Sequence, residues 1–168
     1  MIAIATVDRA GFEAALATAR EEGAVAAYPG LAAPLDGALR GKIAEVWESI
    51  ENALRDAFMH GTEYARQAMD KAVSSADALI RSAGSRAKDV HQALLSKVQA
   101  YLSRFVDAAL AQVRPAIEVG GGRLELDGLE VSQSISLAGS IKASLIELVT
   151  LTADGNLTVT ARYRTRVS

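Results

Sequence analysis

The chain predicts an α+β protein: a long antiparallel helical hairpin or bundle of three main helices, followed by a small antiparallel β-meander of three to four strands. From Leu39 to Leu79, and again from Val90 to Ala108, apolar residues recur in steps of three or four, which is one face of a helix. Beyond Pro115 the step changes to two, the period of a strand with one covered face. Gly120-Gly121-Gly122 stands between the two textures as a joint. This divides the chain into a helical unit at 1–115, with a short strand at 2–7 as an option, and a β unit at 120–168.

In order, Ile2–Val7 is short and β-branched, suited to an edge of the later sheet. Asp8 can cap a first helix that carries Phe12, Leu16 and Ala19 on one face and stops at Gly23. The segment 24–34, with Pro29-Gly30 inside it, has no charged residue and reads as an apolar loop pinned to a neighbour. Pro34 and Asp36 then open a stretch whose stripe runs through Ile43, Val46, Ile50, Ala57, Ala68, Ala72 and Leu79. As one helix to Ser82 it would be roughly 70 Å long at ~1.5 Å per residue. The first and last helices placed end to end would match that length. The one place where it could break is Met59-His60-Gly61-Thr62, with Gly61 as a stop and Thr62 as a new cap.

Ser82-Ala83-Gly84-Ser85 ends that stretch and starts another helix through Val90, Leu94, Val98, Tyr101 and Phe105, closed by Pro115. In the β unit, Asp127-Gly128 between Leu124/Leu126 and Leu129/Val131 predicts a hairpin turn. The second strand would run on through Ile135 and Leu137 to a turn at Ala138-Gly139-Ser140. The third would cover Ile141–Thr152, either bulged or covered on both faces, because Ile146 and Leu148 fall on the opposite side. Asp154-Gly155-Asn156 turns into a fourth through Leu157, Val159, Ala161 and Tyr163.

Half of the 168 residues are apolar and 23% are charged, enough for one domain with a core of its own. The absence of cysteine removes disulfide and thiolate chemistry and is compatible with a cytoplasmic home. No apolar run approaches the ~20 residues a membrane span requires, and Met1–Val7 lacks the form of a signal peptide. Net charge is −2, too bland for a nucleic-acid surface. Its distribution is uneven: residues 1–60 carry nine acidic and five basic groups, residues 61–115 five and eight.

Catalytic patterns are missing. His60 and His91 have no partner at metal-ligand spacing. Gly120-Gly121-Gly122 follows a helix instead of opening one, unlike a phosphate loop. Ser132, Ser134 and Ser136 have no nucleophile elbow, and Asp154-Gly155-Asn156 lacks the later ligands of a calcium loop. Glu45, Glu48 and Glu51 beside Arg55 read as a solvated helix face. Arg162, Arg164 and Arg166 read as charges that protect a strand edge.

The expected function is therefore non-enzymatic. The chain reads as a structural or interaction protein that self-associates as a homo-oligomer, or binds a protein partner, through long amphipathic, coiled-coil-like helices. Candidate contact residues are Trp47, Ile50, Leu54, Phe58, Leu95, Leu102 and Val106; no cofactor, metal or nucleic acid is expected. The alternative is a peripheral protein whose helices lie on a membrane or granule surface.

Overall fold

A computed structural model describes residues 2–25, 35–112, 116–119, 122–131 and 140–165. Strand β1 (Ile2–Thr6) leads into helix α1 (Arg9–Val25), and helices α2 (Gly37–His60), α3 (Thr62–Ser82) and α4 (Ala87–Leu110) follow. Strands β2 (Ala116–Val119) and β3 (Gly122–Val131), helix α5 (Ile141–Asp154) and strand β4 (Asn156–Thr165) complete the chain. The architecture is a helical bundle with a small antiparallel sheet, ordered β1-β4-β3-β2.

Helix starts follow local chemistry. The carboxylate of Asp8 accepts from the Gly11 N–H at 2.8 Å, and that of Asp36 from the Leu39 N–H at 2.8 Å. Each satisfies one of the amide groups that a first turn leaves without an intrahelical partner. Gly23 does not stop α1, which runs on to Val25; a glycine inside a helix costs only about 1 kcal/mol.

The expected long helix is interrupted at Gly61. There φ is +91° and ψ 174°, and the Gly61 N–H closes α2 on the Ala57 carbonyl at 2.9 Å. The chain reverses, so that Lys42, Glu45 and Ser49 of α2 face Ser82, Ala78 and Ser75 of α3. Ala57, Ala65, Ala72 and Ala76 are buried along this hairpin, their small side chains allowing close approach. The second expected break holds: a 3-10 turn at Gly84–Arg86 joins α3 to α4.

α4 runs antiparallel to α1, with Ala108 beside Gly11 and Tyr101 beside Phe12. A Cβ built on Gly11 would lie 2.8 Å from that of Ala108. Two methyl groups so close have no flexible end to move away. Gly11→Ala should therefore cost about 1–3 kcal/mol despite the better helix former. The double variant with Ala108→Gly should recover part of the loss; additive losses in denaturant melts would count against this contact.

The core is aliphatic with one aromatic knot. Phe12 stacks on Phe58 at 4.3 Å and meets Tyr101 edge-on at 6.3 Å, and Tyr101 leans on Phe105 at 5.7 Å. The Thr152 hydroxyl donates to the Leu148 carbonyl at 2.8 Å, leaving its oxygen to accept from the Tyr101 hydroxyl at 3.1 Å. Burial pushes the Tyr101 phenol well above its ordinary pKa, opposed in part by that hydrogen bond, so it stays neutral.

The β unit departs most from expectation. Ile141–Asp154 is helix, not a third strand: Ile141, Ser144, Leu145, Leu148, Val149 and Thr152 are buried at helical spacing against α2, α3 and α4. The Ser140 hydroxyl caps the Ala143 N–H at 3.2 Å, and Gly155 ends the helix at φ +66°. Asp127-Gly128 is not a hairpin turn either. It lies within β3 where the register slips, Leu126 pairing with Tyr163 but Gly128 with Arg162. The hairpin instead joins β2 to β3, with Val119 opposite Gly122.

β1 pairs antiparallel with β4, so the sheet draws on both ends of the chain. Ala5, Val7 and Leu157 point into the core, and Ile4, Thr6, Arg162 and Arg164 are exposed. Pro115, Gly120-Gly121, the loop from 26 to 34, the strand extension through Leu137, the Ala138-Gly139 turn and Arg166 lie outside the described residues.

Candidate functional site

A cleft of about 650 Å³ opens along the first half of α2, with α1 and α4 forming its other wall. α2 contributes Gly37, Arg40, Gly41, Ala44, Trp47, Glu48, Glu51, Asn52 and Arg55, and Arg20 and Lys97 face them from α1 and α4. Its volume falls within the range of small-molecule sites.

The cleft is held by charges inserted into otherwise apolar stripes. Glu51, one turn beyond Trp47, has a side chain only 4% exposed. Arg20 grips it with both ends of the guanidinium, Nε to Oε1 at 3.1 Å and NH2 to Oε2 at 2.6 Å. Arg55 approaches the same carboxylate at 3.6 Å and Glu13 at 3.8 Å. The hydrogen bond to Glu51, then its charge, raise the pKa of Arg20 from its ordinary value. A buried carboxylate needs such a partner to offset its desolvation.

Lys97 is buried as well, at 3% exposure. Its ammonium donates to the Ala19 carbonyl at 3.1 Å and lies 5.6 Å from the centre of the Trp47 ring, within cation–π range. Trp47 is the only tryptophan of the chain and is 2% exposed. Its indole N–H has no hydrogen-bond partner among the described residues, whereas buried indoles ordinarily find one. The lining thus holds four cationic side chains against two carboxylates. Arg40, exposed on α2, has no ion-pair partner among the described residues.

Of the residues expected to make contacts, only Trp47 lines this cleft. Ile50 and Leu54 are buried in the chain's own core, as is Leu95. Phe58 is half-buried on Phe12, and Leu102 and Val106 are half-buried against the core from α4. His60 is exposed, with its ring 5.3 Å from that of Tyr64, and His91 is half-buried on α4. Among the described residues no cluster of three or more histidines and carboxylates could hold a metal, and no helix is long and apolar enough to cross a membrane.

The cleft cations do not stand out in a pattern-based reading. Two signals were present: Glu51 and Lys97 each sit on the buried stripe, beside Ile50/Leu54 and Leu94/Val98/Tyr101. A charge there implies a partner supplied by the fold. That Arg20 would meet Glu51 depends on how α1 docks, which periodicity does not encode. No protein-family model, curated protein or solved structure matches the chain.

Proposed function

We propose that the protein is a non-enzymatic interaction protein that takes up an acidic partner in the cleft between α1, α2 and α4. The observation that carries this reading is where the helical stripes go. Ile43, Val46, Ile50, Leu54, Leu94, Val98 and Phe105 are all buried within one chain, so the motive for pairing helices with a second copy is largely spent. The surface left with a chemical bias is the cleft, whose cations outnumber its carboxylates and whose tryptophan is of the type enriched at interfaces. The exposed large apolar side chains are Ile4, Met59, Tyr64 and Ile146 among the described residues. They form no continuous helical face of the kind a lipid surface engages, so the membrane reading gains no support.

Solution mass by light scattering across a dilution series tests this reading. The expected result is a species near the 17.6 kDa of one chain. A dimer or larger species that persists on dilution would overturn it in favour of assembly through the helices.

A further inference from the structure

Resting on the cleft as the binding surface, we propose that it is an oxyanion site: Arg40 recognises a carboxylate or phosphate group of the ligand, which lies against the glycine floor of α2. Gly41 occupies a helix interior, where glycine costs about 1 kcal/mol relative to alanine. No packing among the described residues accounts for it, because a Cβ built on Gly37 or Gly41 would meet nothing there within 4 Å. This differs from Gly11, whose missing Cβ lets α4 approach. Gly37, Gly41 and Ala44 instead leave a bare strip of α2 inside the cleft, where a ligand can approach the backbone closely.

One further group lines the same space without an internal use. The Arg40 guanidinium has no ion pair among the described residues, whereas Arg20 and Arg55 are engaged by Glu51. The planar guanidinium suits two-point recognition of carboxylate or phosphate. Arg20, Arg55 and Lys97 keep the surroundings positive, and the exposed carboxylate of the lining, Glu48, lies about 12 Å along α2 from Arg40 at 1.5 Å per residue.

The sole tryptophan makes the site its own reporter. The full chain is titrated with inorganic pyrophosphate and, separately, with citrate, following Trp47 fluorescence against sodium chloride at matched ionic strength. A saturable change with either anion is expected, and the anion that acts identifies phosphate or carboxylate as the preferred group. Arg40→Ala should weaken it ten-fold or more, and Gly41→Leu, which fills open space, should abolish it with helical content and melting temperature maintained. No saturable change with either anion, or an equal response in both variants, would overturn the proposal. A monomer without an anion response removes this inference alone; a persistent dimer with an intact response removes the partner reading alone.

Discussion

Gly61→Ala is expected to convert the α2–α3 hairpin into one continuous helix and the chain into a domain-swapped dimer. At φ +91° and ψ 174° Gly61 occupies backbone space that is essentially restricted to glycine, so alanine there costs about 1–3 kcal/mol. In a straight helix the same alanine is favoured over glycine by about 1 kcal/mol. The apolar stripe stays in phase from Ile50 through Ala57 to Ala68 and Leu79, so the local pattern does not oppose continuation. Straightening would uncover Ala57, Ala65, Ala72 and Ala76, and the same hairpin contacts can be restored by a second copy. Light scattering should show doubled mass in the variant. A monomer with the melting temperature of the parent would mean that Gly61 does not define the reversal.

The largest loss of stability should come from Phe12→Ala, about 3–5 kcal/mol. Phe12 is 1% exposed, lies face to face with Phe58 of α2, their planes 4° apart, and meets Tyr101 of α4 at 86°. It is thus the point where α1 is fastened to two other helices. Truncation forfeits both ring contacts and leaves a void among rigid aromatic neighbours that cannot collapse easily. Phe12→Leu, which retains most of the volume, should cost roughly 1–2 kcal/mol. The denaturant midpoint measures both; a loss below about 1 kcal/mol for alanine would show that α1 is not docked through this ring.

What could be read from the chain follows the range of the interactions concerned. Caps such as Asp36 and the repeat of α4 are local, and they are found where expected. The error at Ile141–Thr152 was also local, and its warning was present. Ile146 and Leu148 break the period of two, which a strand accommodates only with a bulge or with both faces covered, whereas a period of 3.6 accommodates every buried residue from Ile141 to Thr152. Asp127-Gly128 carried a similar clue, because the apolar positions change from even to odd across it. One extra residue in a strand does that as well as a turn. At Gly61 the local pattern favours the continuous helix, because the stripe stays in phase, and the tertiary cover provided by α5 favours the folded-back form. The cleft was least legible, since Arg20, Glu51 and Lys97 come from three helices and meet only after docking.

The pairing of Ile2 with Thr160 imposes an order of events on synthesis. α2 and α3 can close on each other as soon as both have left the ribosome, since their contacts span only a few tens of residues. β1, made first, has no neighbour until β4 exists, and until then its apolar residues travel without the sheet that will hold them. A segment made before the other described elements is thus among the last of them to find its place.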